Sequence, residues 1–204
     1  MKKLLFAIFA ASTLAAGCKE EGQKTEQKME ATAEVQTPPQ TTPLAGTPED
    51  ASNPQVVLET DSGKIVLELF PKEAPVTVEN FLKLVNQKYY DGLTFHRVIP
   101  GFMIQGGDPK GDGSGGPGWT ITGEFGARKH IAGTISMART ADPNSAGSQF
   151  FLCVAAAPHL DRQYAAFGQA FEGVEVAQKI VSVPRGAQDR PTTPIKIVRA
   201  YVKQ

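Results

Sequence analysis

Three histidines, two cysteines, a glycine-rich run and one arginine-bearing apolar stretch are the places where this chain could do chemistry. His96, His130 and His159 lie roughly 30 residues apart, so no local spacing gathers them around a metal ion. Cys18 and Cys153 are too few for a disulfide scaffold or a thiol-built zinc site. Gly111-Asp112-Gly113-Ser114-Gly115-Gly116 fits the spacing G-x-G-x-x-G. A dinucleotide site, however, needs a strand before that run and a helix N-terminus after it, and here Pro117 and Trp119-Thr120-Ile121 follow. No Lys-Ser/Thr pair closes a phosphate loop, and no G-x-S-x-G elbow presents a serine. A triad assembled from distant parts of the chain is neither supported nor excluded by spacing. What remains is Phe95-His96-Arg97-Val98-Ile99-Pro100-Gly101-Phe102-Met103-Ile104-Gln105-Gly106-Gly107-Asp108, with Ser148-Gln149-Phe150-Phe151-Leu152 downstream.

The elements that must position these residues are mostly strands. Val56, Leu58, Ile65, Leu67 and Leu69 alternate around Asp61-Ser62-Gly63, a hairpin signature with glycine where positive φ is needed. Pro75 followed by Val78, Phe81, Leu82 and Val85 has helical spacing, with Pro in the first turn and Asp91-Gly92 beyond the end. Val174, Ala177, Ile180 and Val181 share one face of a second helix. Strand-like runs cover 94–99, 102–105, 134–138, 149–154, 165–170 and 195–202. Many short strands with only two helices predict a mainly β chain, a closed antiparallel barrel, because parallel crossovers would need more helices.

The chain is not uniform. Lys2-Lys3, the apolar run Leu4 to Leu14 and the small Ala15-Ala16-Gly17 read as a secretory signal too short for a stable membrane anchor. Cleavage before Cys18 resembles processing at a bacterial lipobox, with Leu14 four residues before the cysteine instead of three. Lipidation would consume Cys18 and leave Cys153 without a partner. Residues 19–54 contain three Lys against seven acidic residues, six Thr and five Pro, and too few large apolar side chains to order themselves. The expected organisation is a lipoprotein-type signal at 1–18, a disordered acidic tether at 19–54 and a folded domain at 55–204. With 21 basic and 21 acidic residues overall, the composition argues against a nucleic-acid partner.

The arginine-bearing stretch, Ser148 to Leu152, Gly133-Thr134-Ile135-Ser136-Met137-Ala138 and Phe167-Gly168 together closely resemble the cyclophilin family of peptidyl-prolyl cis/trans isomerases, over about 56–202. That resemblance implies an eight-stranded antiparallel barrel capped by two α-helices. It implies that Arg97 is catalytic, with Gln105 beside it, and that Phe102, Met103, Phe151 and Leu160 line a proline pocket. Gln105 and Gln149 match positions that hold the peptide backbone, Ala138 lies at the rim, and Gly113 to Gly116 form a loop over the pocket for residues before the substrate proline. The chemistry suits these residue types. Resonance makes the X–Pro amide turn slowly, with a barrier of about 18–20 kcal/mol. Twisting returns a lone pair to the imide nitrogen, and a permanently protonated guanidinium aimed there stabilises only the twisted form.

Two positions depart from the best-known eukaryotic pattern. His159 stands where that pattern has tryptophan, and Tyr164 where it has a pocket histidine; the tyrosine resembles the bacterial branch. Loss of the indole N–H implies weak sensitivity to cyclosporin-type macrocycles. His96, next to Arg97, should face the opposite side of its strand. The resemblance and the signal together predict an isomerase that needs no metal, nucleotide or other cofactor. Its partners are proline-containing polypeptides and a membrane reached through lipid on Cys18. It is expected to be a monomer in the cell envelope facing the periplasm, with the outer membrane favoured by Lys19 after the cysteine. The alternative is a lipid-tethered proline-peptide-binding module or holdase chaperone with little turnover.

Overall fold

The computed structural model describes residues 48–203. The expected signal, Cys18 and most of the expected tether lie outside those residues. Eight strands form one antiparallel sheet: β1 (Gln55–Thr60), β2 (Gly63–Leu69), β3 (Arg97–Ile99), β4 (Met103–Gly106), β5 (Thr134–Met137), β6 (Phe150–Cys153), β7 (Ala166–Glu172) and β8 (Ile197–Val202). Their spatial order is β3-β4-β6-β5-β7-β2-β1-β8. The sheet is strongly curled. Its two edge strands are not joined by a continuous ladder, as a fully closed barrel would require. The edges meet through one bridge, Thr94 to Lys196, where Phe95 N–H donates to Ile195 O and Ile197 N–H donates to Leu93 O. This bridging takes up the first half of the run expected to be a strand over 94–99, so β3 itself is only three residues long.

Curling gives the sheet a concave interior, and alternation fills it. Val56, Leu58, Ile65, Leu67, Leu69, Val98, Ile104, Ile135, Phe150, Leu152 and Phe167 all point into one core. Two helices, α1 (Pro75–Asn86) and α2 (Val174–Val181), bury a face in the same core, α1 through Val78, Phe81 and Leu84, α2 through Val174, Ala177, Ile180 and Val181. Pro75 opens α1 where its missing N–H costs nothing. The residue before it, Ala74, offers no side-chain cap, and a distant carboxylate supplies one. Glu124 accepts from Val76 N–H, Thr77 N–H and Thr77 Oγ1.

Residues 49–53, read from composition as the end of the tether, are fastened to the domain. Buried Glu68 accepts from Glu49 N–H, Asp50 N–H and Asn53 Nδ2 at 2.6, 2.8 and 2.9 Å. Among the described residues, contact with the domain therefore reaches back at least six residues before Gln55, because a buried carboxylate on β2 needs these donors.

Phe81 is fully buried at the centre of an aromatic cluster, with ring centroids 5.1 Å from Tyr90, 5.7 Å from Phe150 and 5.1 Å from Phe167. Phe81→Ala is expected to lower unfolding free energy by about 3–5 kcal/mol, read from denaturant midpoints. A loss below about 1 kcal/mol would mean that the cluster does not hold the helix to the sheet.

Candidate active site

Pro100 and Gly101 make the tight turn from β3 to β4, with Phe102 N–H donating to Ile99 O at 3.0 Å and Gly101 at φ +71. This is the turn geometry in which proline pre-sets the first central residue and glycine accepts the second. It places Arg97 opposite Gln105, and the ladder continues from Gln105 to Phe151 and from Phe151 to Ser136. Cross-strand partners share a face. Arg97, Gln105, Phe151 and Ser136 thus form one row on the convex side, while Val98, Ile104, Leu152 and Ile135 form the neighbouring row inside the core. Met103 and Cys153, opposed to each other in the next convex row, join Phe151, Ala157 and Leu160 in a second apolar cluster.

A cavity of about 380 Å³ opens on this convex face. Of the residues predicted from sequence, it brings together Arg97, Phe102, Met103, Gln105, Ala138, Phe151, His159, Leu160 and Tyr164. Its far wall is the short 3-10 turn Pro158–Leu160, whose His159 ring lies 5.4 Å from Phe102. Tyr164 meets the edge of Phe151 at 5.7 Å. Sequence reasoning missed Arg139, which lies 4.6 Å over the Tyr164 ring and donates to the carbonyls of Gln163 and Thr140. No local motif marked it, because the partners that bring it to the cavity, Gln163 and Tyr164, are distant in the chain.

Gln149 is placed differently. It lines an adjoining cavity of about 590 Å³, together with Gln105, the 113–118 loop, Trp119 and Ser148. Its Nε2 donates to Gly113 O and Gly115 O, and its Oε1 accepts from Gln105 Nε2 at 3.0 Å. The side chain straps the glycine loop to the site. The loop has a second organiser in buried Asp108, which accepts from Lys110, Asp112 and Gly113 N–H groups. Burial pushes the Asp108 carboxyl up, but these and the Gly115 N–H outweigh it and hold the group below its ordinary value. Trp119, which sequence order left without a role, is half-exposed in this second cavity, with its indole N–H donating to Asn80 Oδ1.

Behind Phe151 lies a buried polar chain. His130 stacks on the Phe151 ring at 6.1 Å, its Nδ1 is 3.1 Å from Asp161 Oδ1 and its Nε2 is 3.2 Å from Ser136 Oγ. A carboxylate only accepts, so Nδ1 carries the proton and Nε2 accepts from the Ser136 hydroxyl. Ser136 and His130 are buried beneath Phe151, so the arrangement buttresses the pocket wall and offers no nucleophile to substrate. Burial raises the Cys153 thiol to about 12, leaving it protonated and unreactive. His96, which precedes the first residue of β3, is buried beside the glycine loop near Gly113, with neither ring nitrogen hydrogen-bonded among the described residues. Arg97 itself is 44% exposed, and its Nε lies 3.8 Å from Asp189 Oδ2, a carboxylate that no motif marked.

The curled antiparallel sheet thus carries on its outer face a cavity walled by apolar side chains, with a guanidinium at its rim. Residues 55–202 match the family described as cyclophilin type peptidyl-prolyl cis-trans isomerase/CLD, and the chain belongs to that family. A peptidyl-prolyl cis-trans isomerase of Synechococcus elongatus is 56% identical over 115 residues, spanning 56% of this chain and 79% of that protein. Human peptidyl-prolyl cis-trans isomerase-like 1 is 42% identical over 166 residues, spanning 78% of this chain and 98% of the relative. A cyclophilin-type isomerase of Cryptosporidium parvum, crystallised in the presence of the dipeptide Ala-Pro, aligns with a TM-score of 0.71 at 34% identity, covering 74% of this chain and 99% of its own. The protein is an isomerase of X–Pro bonds.

His130 and His96 are both held below their ordinary value, chiefly by burial, which for His130 outweighs the pull of Asp161. Below about pH 6.5 the unfolded chain takes up protons that these folded histidines refuse, so stability falls as pH drops. Asp161, lowered to about 2 chiefly by the His130 N–H, adds a loss in a more acid window, between its ordinary 3.8 and about 2. Denaturation midpoints are expected to decrease from about pH 7.5 to about pH 5.5. Part of the decrease should vanish in His96→Leu, because the ring makes no hydrogen bond among the described residues that the change would break; an unchanged slope would show that His96 takes up its proton as readily in the fold as in the unfolded chain.

Proposed function

We propose that the protein turns X–Pro bonds by stabilising the twisted amide with Arg97, and that it does so on polypeptides folding outside the cytoplasm. The observation that carries the mechanism is the row Arg97–Gln105–Phe151. Strand alternation sets a permanent cation and an amide at the rim of an apolar cavity, and no step requires a nucleophile. The proline ring enters among Phe102, Met103, Phe151 and Leu160, where it loses water and stays fixed. The preceding carbonyl turns, and the Arg97 guanidinium donates to the imide nitrogen as it becomes pyramidal. Gln105 spends its amide N–H on Gln149, leaving its Oε1 to accept a substrate backbone N–H. Gln149 and the glycine loop shape the adjoining cavity for residues before the proline. His159 and Tyr164 complete the wall, and Ala138 leaves the rim open. Twisting an amide makes and breaks no covalent bond, so the reaction calls on no metal, nucleotide or redox group.

The location rests on sequence: the basic and apolar start, the small residues before Cys18 and the acidic, proline-rich 19–54 fit a lipid-anchored chain with a tether, in a bacterial envelope facing the periplasm. No helix among the described residues is long and apolar enough to cross a membrane. Action on proline-containing polypeptides suits the apolar cavity lined by Phe102, Met103, Phe151 and Leu160.

A charge-assisted hydrogen bond contributes about 1.5–3 kcal/mol, or about one to two decades in rate. Arg97→Ala is expected to lower kcat/KM for an Ala-Pro peptide by about 10- to 100-fold, with little change in stability because the side chain is half exposed. Uncatalysed relaxation takes about tens of seconds, so the loss is easy to read. An undiminished rate would remove Arg97 from the mechanism, and no acceleration by the native protein would leave a proline-peptide-binding module. Expressed in a bacterium, the full chain is expected in the membrane fraction and Cys18→Ser in the soluble envelope fraction; soluble native protein would overturn the anchor.

A further inference from the structure

Arg97 stands on a strand three residues long at the edge of the sheet, hydrogen-bonded through its backbone to β4 alone. Its side chain has rotamer freedom that catalysis must restrict, since a guanidinium stabilises the twisted amide only if its donors face the nitrogen. The one ionic partner it has among the described residues is Asp189, whose Oδ2 lies 3.8 Å from Arg97 Nε. The other carboxylate oxygen, Oδ1, lies 3.3 Å from Arg185 Nε. Asp189 sits at the tip of a closed loop. Arg185 bridges Pro191, Gly186 N–H donates to Arg190 O at 2.8 Å, and Thr192 N–H donates to Pro184 O at 2.9 Å.

The backbone at that tip is unusual. Gln188 and Asp189 are consecutive non-glycine residues at φ 60 and 57, a conformation that side chains with a Cβ adopt at a cost. Such a conformation persists where its surroundings enforce it, and here its result is a carboxylate delivered to the Nε side of Arg97. Arg190, the next residue, donates to Gly111 O and so ties the same tip to the start of the glycine loop.

We propose that Asp189 is a positioning residue for Arg97: by holding the Nε side it turns the Nη donors toward the proline cavity. This rests on the reading of Arg97 as the catalytic cation. Arg185 shares the carboxylate, so the pair orients Arg97 without cancelling its charge at the cavity. Both groups are substantially exposed, at 44% and 37%, and an exposed pair at this distance contributes little to folding. The effect belongs in turnover and not in stability.

Asp189→Asn removes the charge while keeping the shape and a residue that tolerates positive φ. It is expected to lower kcat for an Ala-Pro peptide about two- to fivefold, with KM and the thermal midpoint unchanged. Asp189→Glu is expected to restore most of the rate. In an Arg97→Ala background, Asp189→Asn is expected to change nothing further. Should the Asn variant fold poorly, Asp189→Gly removes the carboxylate with a residue at ease at that φ. Unchanged kcat in Asp189→Asn, a raised KM alone, or a further loss on top of Arg97→Ala would overturn the positioning role while leaving Arg97 catalytic. Full activity in Arg97→Ala would instead overturn the reading of Arg97, and this proposal with it.

Discussion

The hydrogen bond from Phe102 N–H to Ile99 O, closing the Pro100-Gly101 turn, sets the register of β3 against β4, and the site depends on that register. Because strand side chains alternate, a slip of one residue would send Arg97 into the core and bring Val98 out to the cavity. Proline at the first central position and glycine at the second make the turn tight and single-valued. The row it aligns then runs across β4, β6 and β5, so that residues far apart in sequence meet side by side. Two clusters follow from this one arrangement: the interior core that holds the curled sheet, and the smaller convex cluster that floors the cavity.

The two clusters place opposite demands on the same strands. Inside, Val98, Ile104 and Leu152 are sealed, and the aromatic cluster around Phe81 gives the sheet its rigidity. Outside, an apolar surface must stay open to water until substrate arrives, which costs stability that the interior supplies. Polar supports keep that open face in shape. The Asp161–His130–Ser136 chain braces Phe151 from behind, and Gln149 and Asp108 hold the glycine loop from the side. In each case a buried or half-buried polar group is satisfied by loop backbone or a neighbouring side chain, which makes the loop geometry definite.

Most of the site was legible in the chain because its residues fall in two unbroken runs, Phe95 to Asp108 and Ser148 to Leu152, whose order alone carries the family resemblance. Arg139 and Asp189 were not legible. Arg139 takes its role from Gln163 and Tyr164, and Asp189 from a loop almost a hundred residues beyond the arginine it meets. Residues 49–53 illustrate the same limit: composition marks them as polar and unstructured, and only the buried Glu68 carboxylate shows why they lie fixed on the domain.

By itself, the amino-acid sequence determined the alternation of apolar residues in the strands, the proline and glycine of the key turn, the two amphipathic helices and the place of Arg97 just before that turn. These are local properties, governed by residue type and spacing of two or of 3.6. The tertiary structure alone decided that the sheet curls with its edges joined by a single bridge, that Glu124 caps a helix forty-seven positions away, and that Gln149 serves the glycine loop. Those outcomes depend on which distant donors and acceptors are brought within about 3 Å of one another, and hydrogen bonding of that range leaves no period in the chain.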